Sequence, residues 1–318
     1  MNITVIGCGR WGTFLAWYLD KIGNSVTLYG RSTSKNMCEL IENRSNGLIA
    51  LREEITLETD LASAMKSEIL VISVNSQGLR DLLKELSVYS LSEKKIILCM
   101  KGIEISTGKR LTEIVEEYTG EATHTAVWLG PGHVQELYTG VPNCMVIDSA
   151  SIVLKSRFVE AFSSDLIRFY YGTDLIGNEI GGAAKNVIGI AAGMLDGLKL
   201  TSLKGALMSR GTREIARLIK AMGGNELSAY GLCHLGDYQA TIFSEFSHNR
   251  RYGEACVTGE NFTELAEGYY TVKALVKLGE NYHVDLPICN AVYDVLYQSK
   301  DVKETLDRLF LRSLKQEF

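Results

Sequence analysis

The residue of this sequence best suited to acid–base chemistry is Lys185. It lies in the run IGGAAKNVIGI, residues 180–190, where its neighbours are mostly small or apolar. A lysine with such neighbours on a helix is not expected to face bulk water, so its ammonium needs a partner or loses its proton more readily than an exposed one. Either condition suits a group that exchanges protons near neutral pH. Lys185 is therefore a candidate catalytic residue.

A glycine fingerprint near the N-terminus is the second chemical feature. Gly7, Gly9 and Gly12 are spaced G-x-G-x-x-G, with Arg10 and Trp11 between the last two, after a predicted strand and at the start of a predicted helix. The first glycine permits a tight turn, the second admits a pyrophosphate, and the third allows helix–strand contact. The helix N-terminus then offers backbone N–H groups to the phosphates. The motif predicts a nicotinamide or flavin nucleotide; a glycine turn that serves packing is the alternative.

The end of the second predicted strand bears on which nucleotide binds. NAD sites usually have Asp or Glu at this point, for the ribose 2′-hydroxyl. Here the chain has Arg31 and Ser32, with Lys35 just beyond. Arg31 can pair with a 2′-phosphate, helped by Ser32. We predict NADP(H) as the favoured cofactor and NAD(H) as the second choice; the alternative is a solvated Arg31 that stacks on adenine without discriminating.

Other polar clusters occur where a reaction centre could form. Lys101 follows a predicted strand, at the carboxyl end where ligands of open α/β sheets bind. Gly130 and Gly132 follow the next strand, and Asp237 follows a loop. The densest cationic patch contains Ser247, His248, Asn249, Arg250 and Arg251.

The elements that must position these residues alternate between strand and helix over the first half of the chain. Nearly continuous apolar runs predict parallel strands covered on both faces. The predicted strands are Asn2–Ile6, Ser25–Tyr29, Ile69–Val74, Ile96–Met100, Thr125–Leu129, Met145–Ile147 and Ile167–Tyr171. Helical spacing covers Trp11–Ile22, Leu79–Leu86, Leu111–Tyr118 and Val153–Phe162. The alternation predicts an α/β fold with a doubly wound, Rossmann-like parallel sheet.

The pattern changes after about Thr173, where strand signals end. Helices are predicted over Ile176–Leu198, Leu203–Met222, Phe262–Leu278 and Pro287–Ser299, followed by a short charged helix. Glycines recur in the first of these at about one-turn spacing, which favours close helix packing. We predict a dinucleotide-binding domain over residues 1–173 and an all-helical substrate and catalytic domain over 174–318.

Composition excludes several classes of protein. The chain has 318 residues, 46% of them hydrophobic, and a formal net charge of -5, which argues against nucleic-acid and membrane-surface partners. Its longest apolar runs fall short of the ~20 residues of a membrane span, and its first residues lack the basic start of a signal peptide. The seven scattered cysteines predict neither disulfides nor a metal site. We expect a cytoplasmic protein.

The collinear order of the motifs resembles that of the bacterial NAD(P)-dependent glycerol-3-phosphate dehydrogenases. The matching segments include GCGRWGTFLA, GPGHVQEL, GNEIGGAAKNVIGIAAGMLDGL, MSRGTREIARL, YGLCHLGDYQAT, FSHNRRYGE, AEGYYT and LPICNAVYDVLY. The resemblance implies reversible reduction of dihydroxyacetone phosphate to sn-glycerol 3-phosphate for phospholipid synthesis, by a homodimer. It also implies that Lys185 protonates the C2 alkoxide and that Lys101 polarises the carbonyl near the nicotinamide. Asp237 would hydrogen-bond the substrate hydroxyl or the Lys185 ammonium.

The same resemblance implies further contacts. Gly130 and Gly132 would line the substrate. A phosphate site at a helix start would contain Ser247, His248, Asn249 and Arg250. Val134 and Glu267 would lie near the cofactor.

Departures from the family pattern leave the substrate open. Gly132 and Val134 stand where the family usually has Ser or Thr and then Ala, and His248 stands for an arginine. A histidine cannot supply a bidentate guanidinium contact to phosphate. Tyr238-Gln239 also replaces an apolar pair. A related dehydrogenase of another small phosphorylated or carboxylated ketone is therefore a second hypothesis, and a catalytically silent nucleotide-binding protein is a third.

Overall fold

The apolar runs of the first half of the chain form one sheet. The computed structural model describes residues 1–120, 124–313 and 316, so the last residues of the predicted second domain, 317 and 318, lie outside the described residues. The chain divides into two units. Unit 1 comprises Met1–Lys101 and Lys109–Leu175, and unit 2 comprises Gly102–Gly108 and Ile176–Phe318.

The strands of unit 1 are β1 (Asn2–Ile6), β2 (Ser25–Tyr29), β3 (Thr56–Glu58), β4 (Ile69–Ile72), β5 (Lys95–Leu98), β6 (Thr125–Leu129), β7 (Asn143–Ser149) and β8 (Ile167–Tyr171). Their order in the sheet is β3-β2-β1-β4-β5-β6-β7-β8. Every residue of β4 and β6 is buried, as expected for strands covered on both faces. This sheet, followed by helices, confirms the predicted α/β fold class.

The helices of unit 1 are α1 (Arg10–Lys21), α2 (Lys35–Asn43), α3 (Leu61–Ala64), α4 (Leu79–Leu86), α5 (Leu111–Thr119), α6 (Val134–Tyr138) and α7 (Ile152–Phe162). The later helices are α8 (Leu175–Gly197), which begins at the last residue of unit 1, α9 (Lys204–Ala221), α10 (His248–Thr258), α11 (Glu267–Asn281), α12 (Pro287–Gln298) and α13 (Val302–Phe310). A 3-10 helix, Leu235–Asp237, and a π-helix, Gln239–Phe243, precede α10.

The predicted parallel sheet contains one antiparallel strand pair. β6 and β7 are antiparallel, while the other paired strands are parallel. A parallel neighbour needs a crossover that returns the chain along the full strand. α6 has five residues, or about 7.5 Å of helix, which is too short for that return. β7 therefore runs back along β6.

The limits of several elements differ from their prediction. The strand predicted over Ile69–Val74 ends at Ile72, and β7 is longer than Met145–Ile147. The helix predicted from Phe262 begins at Glu267. The sequence pattern did not predict β3, α2, α3, α6 or α10, most of which are short or polar.

The predicted role of the recurring glycines in close helix packing is confirmed in unit 2. A Cβ atom placed on Gly193 of α8 would lie 1.8 Å from the Arg250 carbonyl oxygen, and one placed on Gly253 of α10 would lie 2.0 Å from the Ile190 carbonyl oxygen. The two backbones therefore touch where both helices lack side chains. In the described part of the chain, no helix combines the length and hydropathy needed to cross a bilayer.

The segment Gly102–Gly108 belongs to unit 2, although it interrupts unit 1 in sequence. Ile103 is fully buried in the apolar cluster of that unit, and Lys277 donates to the Ser106 carbonyl oxygen at 2.9 Å. The domain limits at residues 173 and 174 stay a prediction.

Candidate functional site

The glycine fingerprint forms the turn between β1 and α1. Gly7 has φ +112°, and a Cβ atom on it would lie 2.1 Å from the Ser73 carbonyl oxygen. A Cβ atom on Gly12 would lie 1.8 Å from the Gly7 carbonyl oxygen, whereas one on Gly9 would meet nothing within 4 Å. Gly7 and Gly12 therefore serve the turn itself, and Gly9 faces open space that a ligand can use.

The N-terminus of α1 fits an anionic group. Its N-cap residue is Gly9, which supplies no side-chain cap, and its first turn contains no acidic residue. The first backbone N–H groups of a helix lack partners within that helix and carry a partial positive charge. Arg10 is exposed at this turn, and the Trp11 ring stacks on Phe14 with the ring centroids 5.1 Å apart. The residues present thus fit the phosphates of a dinucleotide.

Arg31 follows β2 and is paired with a carboxylate from a distant part of the sequence. Its guanidinium lies 2.6 Å from Glu85 of α4, and the two side chains are 62% and 45% exposed. Ser32 beside it is also exposed. An ion pair this exposed contributes about 0–1 kcal/mol, so a phosphate can replace the carboxylate at small cost. Sequence reasoning missed Glu85 because no local pattern connects residues 54 positions apart.

Lys101 follows β5 and contacts the loop after β6. Its Nζ donates to the Gly130 carbonyl oxygen at 2.7 Å. Gly130 has φ +135° and Gly132 has φ +145°. A Cβ atom on Gly132 would also lie 3.0 Å from Leu137 Cδ1. The departure from Ser or Thr at this position therefore coincides with a backbone conformation that favours glycine.

Val134 begins α6 and is part of the apolar core of unit 1, with 5% exposure. Its side chain packs inward, so a contact with a cofactor would come from its backbone. That contact stays a prediction.

A buried ion pair in unit 2 contains two of the predicted catalytic residues. Lys185 Nζ lies 2.8 Å from Asp237 Oδ2, with the two side chains 10% and 1% exposed. Lys185 Nζ also donates to Thr241 Oγ1 at 2.8 Å, and that hydroxyl donates to the Asp237 carbonyl oxygen at 2.8 Å. The partner that the sequence required for this ammonium is thus Asp237.

Sequence reasoning missed Thr241. Its signal was available, because it lies four residues after Asp237, a spacing that places two side chains on one face of a helical segment. The π-helix Gln239–Phe243 contains it and buries it beside the ammonium.

An amide chain links three helices of unit 2. Asn249 of α10 donates through Nδ2 to Asn186 Oδ1 of α8 at 3.1 Å. Asn249 Oδ1 accepts from the Gly268 backbone N–H at 2.9 Å. Gly268 directly follows Glu267, the first residue of α11. The structure therefore places Asn249 next to Asn186 and near the start of α11.

The N-terminal residues of α10 contact carboxylates and backbone groups. Ser247 is the N-cap residue, and its Oγ accepts from the Arg250 backbone N–H at 3.3 Å. His248 Nδ1 donates to the Leu265 carbonyl oxygen at 3.2 Å, while Nε2 lies 3.1 Å from Glu264. A phosphate at this helix start would have to compete with Glu264 for His248.

Arg250 is held by two carboxylates. Its Nη1 lies 2.7 Å from Asp196 and 3.2 Å from Glu254, and its Nε donates to the Ser244 carbonyl oxygen at 3.1 Å. Lys204 also lies 2.7 Å from Asp196. These contacts give Arg250 a structural role within unit 2, and its predicted substrate contact stays a prediction.

Family models and full-length relatives place this chain with one group of enzymes. The model of the N-terminal region of NAD-dependent glycerol-3-phosphate dehydrogenase matches residues 2–154, and that of the C-terminal region matches residues 174–307. A glycerol-3-phosphate dehydrogenase [NAD(P)+] of Pelodictyon phaeoclathratiforme is 35% identical over all of this chain and 99% of its own. The corresponding protein of Chlorobium phaeobacteroides is 36% identical with the same coverage.

The crystal structure of glycerol-3-phosphate dehydrogenase from Coxiella burnetii has a TM-score of 0.92 to this chain. It is 26% identical, and the alignment covers 98% of this chain and 99% of that one. The sheet and its glycine turn define a dinucleotide-binding fold, in a chain that also has a helical unit with a buried lysine–aspartate pair. The chain belongs to the NAD-dependent glycerol-3-phosphate dehydrogenase family.

We predict that Asp237→Asn lowers the free energy of unfolding by about 3 kcal/mol, because it leaves the Lys185 ammonium buried without its counter-charge. The matched control is Asp294→Asn, which breaks a Lys300–Asp294 pair at 2.7 Å that is 41% and 30% exposed. This control is expected to cost less than about 1 kcal/mol. Denaturant unfolding of both variants makes the comparison, and equal losses would contradict a special role for burial.

Proposed function

We propose that this chain catalyses the reversible reduction of dihydroxyacetone phosphate to sn-glycerol 3-phosphate and so supplies glycerophospholipid synthesis. The observation that carries the proposal is the Lys185 ammonium, which is buried within 2.8 Å of Asp237. An ammonium held in this way can transfer a proton to a developing alkoxide, which a protein that binds nucleotide without chemistry does not require. Its family membership supports the same reaction.

The nicotinamide cofactor supplies the hydride that this reduction requires at C2 of the substrate. The reaction also needs one proton on the developing alkoxide, and we assign its transfer to Lys185. Asp237 and Thr241 orient the ammonium by accepting hydrogen bonds from it. After transfer, the neutral amine takes a proton from water, which reaches the 10% of its side chain that is exposed.

We infer that NADPH is preferred over NADH. Arg31 supplies a guanidinium at the end of β2, and its existing partner Glu85 is exposed enough to be displaced. A guanidinium pairs with phosphate through two parallel hydrogen bonds. The ribose 2′-hydroxyl of NADH has no charge to replace that of Glu85. NADH therefore gains less binding free energy from Arg31 than NADPH does.

We further propose a cytoplasmic homodimer. The scattered cysteines and the mild net charge of -5 support the location. The proposal of a homodimer is based on the resemblance to the family.

A second candidate is a dehydrogenase of another small phosphorylated or carboxylated ketone. His248 stands where the family has an arginine, and its Nε2 lies 3.1 Å from Glu264. The helix start thus has less positive charge to offer a phosphate dianion than a free arginine would supply. This observation concerns the anionic group of the substrate and leaves the assignment of Lys185 unchanged.

We predict that the purified chain consumes NADPH when dihydroxyacetone phosphate is added. Reduced-nicotinamide absorbance follows the reaction, and the same preparation is tested with small carboxylated ketones as controls. Turnover of one of these ketones with none of dihydroxyacetone phosphate would reject the named substrate and favour the second candidate.

We predict that Lys185→Ala lowers kcat by about 10²- to 10⁴-fold, the range that a positioned acid–base group supplies. Nucleotide affinity, measured by fluorescence titration with NADPH, is expected to stay within about twofold. Lys303→Ala is the matched control, because Lys303 is an exposed lysine of α13 in the same unit. An unchanged kcat for Lys185→Ala would defeat the acid–base assignment.

We predict that Arg31→Ala weakens NADPH binding at least about tenfold more than NADH binding, since it removes a charge-assisted contact worth about 1.5–3 kcal/mol. Arg157→Ala serves as the control, because Arg157 is also an exposed arginine of unit 1 paired with a carboxylate, Glu68 at 2.9 Å. Dissociation constants of both cofactors give the ratio. An equal effect of Arg31→Ala on the two would overturn the predicted preference.

A further inference from the structure

His234 touches both of the segments that carry the buried ion pair. Its ring is fully buried. Nδ1 lies 2.8 Å from the Gly181 carbonyl oxygen of α8, and Nε2 lies 2.7 Å from the Tyr238 hydroxyl. Its own carbonyl oxygen accepts from the Asp237 backbone N–H at 3.0 Å. His234 thus contacts α8 through its side chain and the 3-10 helix Leu235–Asp237 through its backbone.

The directions of these hydrogen bonds follow from chemistry. A carbonyl oxygen accepts, so Nδ1 must carry a proton toward Gly181. Burial lowers the pKa of His234 to about 4, against the opposing effect of the Gly181 hydrogen bond, so the imidazole is neutral near pH 7. Nε2 therefore accepts from Tyr238, whose pKa is raised by burial and whose hydroxyl keeps its proton. The contacts select one tautomer.

The Gly181 carbonyl oxygen has a second partner in the helix. Lys185 lies four residues later, so in α8 its backbone N–H donates to that same oxygen. The hydrogen bond from His234 therefore acts on the helical turn that presents the catalytic lysine. Glycine permits the approach, because a Cβ atom on Gly181 would lie 2.9 Å from His234 Cβ.

We propose that His234 is a positioning residue: its hydrogen bond to the Gly181 carbonyl oxygen sets Lys185 relative to Asp237. This inference rests on the proposed function, since it concerns the same ammonium. In the neutral form His234 also offers Asp237 no competing positive charge. A small displacement of a reacting group lowers the rate of the chemical step more than it weakens substrate binding. The expected effect is on kcat, with KM unchanged.

Two amide substitutions separate the contacts of the ring. In His234→Asn the amide nitrogen takes the place of Nδ1 and keeps the donor to Gly181. In His234→Gln the amide reaches the place of Nε2 and keeps the contact with Tyr238. We expect His234→Gln to lower kcat between about tenfold and a hundredfold. His234→Asn is expected to stay within about threefold of the wild type, and KM for both substrates within about twofold.

Tyr238→Phe is the control for loosening of the core. It removes the hydroxyl that bonds to His234 Nε2 and to Thr212, and it leaves the bond from His234 to Gly181 in place. We expect a lower Tm with kcat within about threefold. The assays use the full chain with dihydroxyacetone phosphate and NADPH, well below the Tm of each variant.

The kcat values of these variants distinguish a positioning role of His234 from a structural one. A large loss of kcat in His234→Gln, with rescue in His234→Asn, supports the inference. Wild-type kcat in His234→Gln, or equal losses in the two amide variants and Tyr238→Phe, would overturn it and leave His234 a structural residue. An inactive wild-type enzyme would instead reject the proposed function, which is a different result.

Discussion

The ion pair between Lys185 and Asp237 is the interaction on which the proposed chemistry depends. Two charges removed from water cost several kcal/mol each, and their attraction repays this only with good geometry and further hydrogen bonds. Thr241 supplies one such bond, at 2.8 Å. His234 adds a tether between the two backbone segments. Together these contacts fix the position of the Lys185 ammonium within unit 2.

Close backbone contact is a second constraint that recurs in both units. In unit 1 the turn after β1 brings Gly12 against the Gly7 carbonyl oxygen. In unit 2, α8 and α10 touch at Gly193 and Gly253. Each contact occupies the space of a missing Cβ atom, so each needs glycine despite its entropic cost in a helix. The first contact shapes the turn for which we predict nucleotide binding, and the second holds the helix that presents Asn249 against the helix that presents Lys185.

Positive charge in the sequence is a poor guide to where an anion binds. The residues after Ser247 form the densest cationic patch of the chain, yet Arg250 is paired with Asp196 and His248 with Glu264. The partly buried guanidinium of Arg250, whose side chain is 15% exposed, is favoured by a counter-charge, and Asp196 of α8 supplies it. A ligand at this place would meet the N-terminus of α10 and its N-cap residue Ser247. The position of that terminus is set by backbone geometry, which the charge pattern of the sequence does not describe.

The sequence by itself determined the strands β1, β2, β6 and β8, the glycine turn, the fold class and the need of Lys185 for a partner, because each follows from local periodicity, turn chemistry or the cost of burying a charge. The tertiary structure decided the antiparallel β7, the pairing of Arg31 with Glu85, the short elements such as β3, and the tether from His234 to Gly181. These depend on residues far apart in the chain, whose distance is set by packing. Local patterns carry no information about such distances.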